Sequence, residues 1–127
     1  MSAADTNVLV RVLTRDDLKQ AAAASEFLVG GAWISQTAIA ELVWVLQSRY
    51  RRTRQEQIEA LDLLLDNPHL ALENAPVIAA ALRLFREWPR VSFTDCLLLE
   101  QARAAGHLPL GTFDRELAKA PGAKLLR

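Results

Sequence analysis

The chain has 127 residues, 51% of them apolar, and its 15 Lys and Arg equal its 15 Asp and Glu. That length fits one domain, 1–127, with a real core, and the apolar share excludes a disordered chain. Zero net charge excludes nucleic-acid binding through bulk charge, so any such function needs a local basic patch. Cys96 is the only cysteine, which excludes an internal disulfide and suits a reducing compartment. No apolar run reaches the ~18 residues of a membrane span, and no basic-plus-apolar leader opens the chain, so a cytoplasmic protein is expected.

In chain order, residues 2–4 end a short first strand, and Asp5-Thr6-Asn7 is a run of turn and cap formers. Residues 8–13 are β-branched, but a second strand there has no room without a turn, so a helix is expected. Asp16 and Asp17 open a helix over 18–29, stopped by Gly30-Gly31. Residues 33–35 form a strand and 37–50 a helix. Thr53-Arg54-Gln55-Glu56 has capping-box spacing and starts a helix that Asn67-Pro68 ends. Residues 70–72 form the third strand, and Asn74 caps a helix over 75–88 that Pro89 ends. Thr94 or Asp95 begins a helix over 96–105, stopped by Gly106. Residues 108–111 form the fourth strand, in which Pro109 requires an edge or a bulge. A short helix over 113–120 and a last strand over 124–126 complete the chain.

Strands alternating with helices predict an α/β fold: a short parallel sheet of four to five strands, covered by helices on both faces. Ligands in such sheets bind beyond the carboxyl ends of the strands. Asp5 follows the first strand and Asp114 the fourth, while Glu41 and Asp95 lie near helix starts. All four carboxylates are therefore expected on one rim.

Glu41 sits in an otherwise apolar helix, Thr37-Ala38-Ile39-Ala40-Glu41-Leu42-Val43-Trp44-Val45-Leu46. A buried carboxylate is costly unless its charge is balanced, and Thr37, Trp44 and Val45 at helical spacing are not basic. A distant cation, a shared proton or a metal ion must then balance it. Carboxylates gathered on one rim repel one another and need protons or cations between them. Oxygen-only ligands suit Mg²⁺, with Mn²⁺ as a substitute, rather than Zn²⁺. His69 and His107 flank Pro68 and Gly106 and read as surface residues. Taken singly, Asp5, Asp95 and Asp114 also serve as helix caps, and Glu41 as an acid favoured at a helix N-terminus. Thr37, Thr94 and Thr112 are available for capping instead. Glu56, Glu87 and Glu100 have Arg52, Arg83 and Arg103 at helical spacing and read as solvated pairs.

Asp5-Thr6-Asn7-Val8-Leu9, the isolated Glu41, Phe93-Thr94-Asp95 and Thr112-Phe113-Asp114 together resemble the PIN-domain ribonucleases, and among them the VapC-type toxins of bacterial toxin–antitoxin pairs. The resemblance covers essentially the whole chain. It implies a PIN-like three-layer sandwich, Mg²⁺-dependent RNA cleavage, homodimerisation and neutralisation by a small antitoxin. It also implies that Asp5, Glu41, Asp95 and Asp114 form the catalytic, metal-holding site, supported by Thr6, Asn7 and Thr112. Many relatives carry an acid directly before the Phe of the third motif, where this chain has Ser92. The Ser2-Ala3-Ala4 lead-in is also less apolar than usual, so the first strand is expected to be weakly held.

An acidic pocket repels RNA, so cations around it must attract the backbone. Arg49, Arg51, Arg52 and Arg54 form the densest basic run, followed by Arg11 and Arg15. Trp33, Trp44, Val43 and Leu46 are core by default, and on the resemblance some of them line an antitoxin groove. Two other readings compete: a housekeeping PIN-type RNA-processing nuclease without an antitoxin, and a non-catalytic interaction module of the same fold.

Overall fold

The computed structural model describes the whole chain, Met1–Arg127. It has six α-helices and five short strands, all paired in parallel, in the α/β pattern expected from the sequence. The chain divides into two compact units, Met1–Ala75 and Pro76–Arg127.

The first unit runs β1 (Ser2–Ala3), α1 (Thr6–Thr14), α2 (Leu18–Val29), β2 (Ala32–Ile34), α3 (Gln36–Ser48), α4 (Arg54–Asp66) and β3 (Leu70–Leu72). Its strands form one ladder in the order β1-β2-β3, with Ala3 opposite Trp33 and Trp33 opposite Ala71. β1 is only two residues long, and Ala4 N–H extends its pairing by donating to Trp33 O at 3.1 Å. Because β1 and β2 run in register, the chain leaves both at the same edge, and α1 and α3 start there. Each start has a side-chain cap, Asp5 for α1 and Ser35 for α3. Leu9, Val10, Ile34, Ile39, Leu42 and Leu61 are among the fully buried side chains of this unit.

The second unit holds α5 (Ala75–Glu87), which begins at the boundary between the units, α6 (Phe93–Ala105), β4 (Leu110–Thr112), a 3-10 turn over Leu117–Lys119, and β5 (Ala123–Leu125). α5 buries Val77, Ile78, Ala81, Leu82, Leu84 and Phe85, the spacing of one helix face. Phe85 meets Phe93 of α6 edge to face, with ring centroids 5.7 Å apart. β4 and β5 form a separate two-stranded ladder.

Several boundaries differ from expectation. The strands hydrogen-bond as a ladder of three and a ladder of two, not as one continuous run. β2 and β5 each begin one residue earlier than expected. Pro109 lies before β4, so its missing N–H interrupts nothing. The helix expected over 113–120 shrinks to a 3-10 turn, because Asp114 turns the chain first. α6 starts at Phe93, capped by Ser92 rather than by Thr94 or Asp95. Asn74 takes a left-handed φ of 52°, outside the extended range of an ordinary N-cap.

Candidate acidic site

Asp5 lies two residues beyond the end of β1 and is exposed. Its Oδ1 accepts from Val8 N–H at 3.2 Å, closing the start of α1, while Oδ2 makes no hydrogen bond. Thr6 beside it is buried and Asn7 is exposed.

Glu41 departs from expectation, because it is exposed. α3 buries Ala38, Ile39, Leu42, Val43, Val45 and Leu46, which leaves Thr37, Glu41, Trp44 and Ser48 as one solvent stripe. The apolar residues Ala40 and Trp44 hid this stripe in the sequence. Trp44 is 58% exposed and Trp33 41%, so neither tryptophan is a core residue. With Glu41 in water, desolvation no longer demands a counter-charge. What remains is an unengaged carboxylate, without a hydrogen bond or ion pair, on a helix that starts at the same strand edge as Asp5.

In the second unit, Asp95 is half-buried in the first turn of α6. Ser92 Oγ accepts from Asp95 N–H at 3.2 Å, so the cap is supplied by Ser92. The Asp95 carboxylate is thereby spared from capping, and it lies at the positive end of the helix dipole. Asp114 follows β4. Thr112 Oγ1 accepts from Asp114 N–H at 3.0 Å, and Asp114 Oδ1 accepts from Glu116 N–H at 2.8 Å and Leu117 N–H at 3.2 Å. Arg90 Nη1 reaches Glu116 Oε1 at 3.6 Å, tying the segment before α6 to the turn after Asp114. Sequence periodicity carried no sign of that link.

Several of the cations are engaged with partners of their own. Arg11 pairs with Asp16 and bonds Gln20 and Tyr50, Arg52 pairs with Glu56, and Arg103 pairs with Glu100. Glu100 was expected as half of a solvated pair but is buried, because α6 turns it inward and Arg103 follows it. Arg103 also donates to Pro121 O. Arg83 and Glu87 form no ion pair. Arg49 and Arg51 are exposed, whereas Arg52 and Arg54 are half-buried. His69 and His107 are exposed, as expected.

No ion pair involves Asp5, Glu41, Asp95 or Asp114. Asp5 and Glu41 lie in the first unit and Asp95 and Asp114 in the second, and within neither unit do three or more His, Cys, Asp or Glu side chains gather to hold a metal ion. Their donor chemistry fits a hard divalent cation: all ligand atoms are carboxylate oxygens, two acids are unengaged, and two use one oxygen in local turns.

No curated protein and no solved structure matches the chain. A family model described as PIN domain matches residues 3–123, which runs through both units. Members of that family are generally nucleases, typically dependent on a divalent metal. With a match of that extent over the four acid-bearing segments, this chain belongs to the PIN-domain family.

Proposed function

We propose that the chain is a Mg²⁺-dependent endoribonuclease and the toxin of a toxin–antitoxin pair, acting as a homodimer held in check by a small antitoxin. The observation that carries the catalytic reading is a family match running through four carboxylates that no protein cation neutralises. The toxin reading rests on the likeness of the four acid-bearing segments to VapC-type toxins.

Asp5, Glu41, Asp95 and Asp114 are the residues assigned to hold the metal, with Mn²⁺ as a substitute for Mg²⁺. When bound, such an ion lowers the pKa of a water and offsets charge on the phosphate. The chain's own residues set the orientation of the acids. The bonds to Glu116 and Leu117 N–H fix the Asp114 carboxylate, and the bond to Val8 N–H fixes that of Asp5. Thr112 holds the Asp114 backbone, while Thr6 and Asn7 are supporting polar groups. One of the four acids would take a proton from water as general base. Hydrolysis of this kind does not use the RNA 2′-OH as nucleophile. Of the basic run 49–54, Arg49 and Arg51 are exposed and outside any ion pair, and so are open to the RNA backbone.

The test is to sequence RNA ends after brief expression of the parent and of Asp95→Asn, and to repeat the cleavage in vitro with Mg²⁺ or chelator. The parent should arrest growth and leave discrete new ends. Losing several kcal/mol of charge stabilisation lowers the rate by ~10²–10³-fold, so D95N should leave essentially none. Equal cleavage by D95N, or cleavage unchanged in chelator, would overturn the reading.

A further inference from the structure

The turn that carries Asp114 also holds an aromatic ring in the open. Phe113 is 76% exposed, although the backbone on both sides of it is fixed. Thr112 ends β4 and accepts from Asp114 N–H, and Asp114 in turn closes the following turn onto Glu116 and Leu117. The ring is therefore presented to solvent from a stiff backbone. An exposed aromatic on a rigid support is poised to stack without a further ordering cost.

Phe113 lines an open cleft of about 500 Å³ with Arg115, Leu125, Leu126 and Arg127. The floor is built from the β4–β5 ladder and the residues just after it. Leu126 N–H donates to Thr112 O at 2.8 Å, and the Leu126 side chain lies over Gly111. A Cβ added at Gly111 would meet Leu126 Cδ1 at 3.2 Å, so the glycine allows that close approach. Arg115 and Arg127 are exposed and form no ion pair or hydrogen bond. This contrasts with Arg90 and Lys119 of the same unit, which both engage Glu116.

A mostly polar cleft bearing one open ring, two leucines and two unpaired guanidinium groups fits a ligand that is both aromatic and anionic. A nucleotide of a single strand is such a ligand. Its base stacks on the ring and its phosphates meet the cations, whereas a duplex keeps its bases inside the stack. We propose that Phe113 is a stacking platform for an unpaired base of the RNA substrate, with Arg115 and Arg127 holding the adjoining phosphates. The proposal rests on the nuclease reading of Asp114. It adds a subsite beside a candidate catalytic acid and names the residues that form it.

The test is equilibrium binding of a single-stranded oligoribonucleotide containing 2-aminopurine to the full chain, in chelator so that no strand is cut. Stacking quenches the 2-aminopurine fluorescence. Aromatic–base stacking accounts for about 5- to 150-fold in affinity per base, so Phe113→Ala should weaken binding by that factor and lose the quench. Phe113→Trp should keep both. Arg115→Ala should lower the salt dependence of binding by roughly one phosphate contact. Thermal melts of the exposed-site variants should match the parent. If Phe113→Ala binds and quenches like the parent, the subsite is overturned even where the parent cleaves RNA. Preference for duplex over single strand, or an effect of Phe113→Ala on self-association alone, overturns it too. Lost quenching in Phe113→Ala from a parent that never cleaves leaves the subsite standing and removes the nuclease reading.

Discussion

Asp5 and Glu41 are both acids near the start of a helix, yet their local surroundings differ. The Asp5 carboxylate closes α1 through Val8 N–H, while Glu41 touches nothing polar from its solvent stripe. The two should therefore separate in a stability measurement made without metal. Asp5→Ala should cost about 1 kcal/mol in urea denaturation, the usual loss for a helix cap, and Asp5→Asn should recover most of it. Glu41→Gln should stay within about 0.5 kcal/mol of the parent, as exposed substitutions do. A Glu41→Gln penalty as large as that of Asp5→Ala would mean that Glu41 has a structural partner. The sequence singled out Glu41 for a reason that did not hold. Its apolar neighbours suggested burial, and only the direction of the helix face reveals that residues 37, 41, 44 and 48 face out. The residue stood out, but its environment could not be read, because Trp44 is apolar and exposed together. Phe113 was singled out only as part of the Thr112-Phe113-Asp114 motif, because nothing in the sequence shows that its ring is held in the open.

At the scale of elements, contacts within a few residues were legible and contacts across the chain were not. The capping box of α4 is a four-residue pattern, and both of its bonds form, Glu56 N–H to Thr53 Oγ1 at 3.2 Å and Thr53 N–H to Glu56 Oε1 at 2.9 Å. The bond from Thr53 N–H holds the Glu56 carboxyl below the usual carboxylate range. By contrast, Tyr50, just past α3, donates to Asp16 Oδ2 at 2.7 Å across 34 positions of sequence. Arg11 and Thr14 of α1 join the same carboxylate, at 3.3 and 3.0 Å. No periodicity encodes that clasp between the ends of α1 and α3. The Tyr50 hydroxyl, then Thr14 and the Arg11 charge, hold the Asp16 carboxyl below its ordinary range. A carboxyl whose pKa is lower folded than unfolded adds stability above the unfolded value of about 3.9, and loses it as pH falls through the folded value. Tyr50→Phe removes the largest cause of that depression. The stability gap between parent and Tyr50→Phe should be widest at neutral pH and narrow as pH falls below ~4 in urea denaturation. A gap independent of pH would show that Tyr50 acts through packing alone. Arg11 is bound into this clasp, so its expected part in RNA binding competes with a structural one.

At the scale of the whole molecule, alternating strands and helices made the α/β class legible, because each element carries its own period and punctuation. The division into units Met1–Ala75 and Pro76–Arg127 was not legible, since no linker composition marks it and α5 starts at the boundary. The division gives the acid set a direct test. Asp5 and Glu41 belong to the first unit, and Asp95 and Asp114 to the second. If all four hold one class of ion, metal stabilises the folded chain by binding linkage, about 2.7 kcal/mol at a hundredfold excess over Kd. For a chain of this length that corresponds to a melting temperature raised by roughly 10 °C. Glu41→Gln and Asp95→Asn each remove one charge, and neither side chain makes a local hydrogen bond that the change would break. In chelator Glu41→Gln should melt close to the parent's temperature, and Asp95→Asn at that temperature or slightly below it, since it gives up a charge at the positive end of α6. On adding Mn²⁺ or Mg²⁺, both should gain less than the parent. A loss of metal gain in only one variant would confine the ion to the acids of that unit. The other pair would then keep only their local turns and their solvent-facing positions. Full metal gain in both variants would remove Glu41 and Asp95 from the ligand set, and with them the proposed division of roles among the four acids.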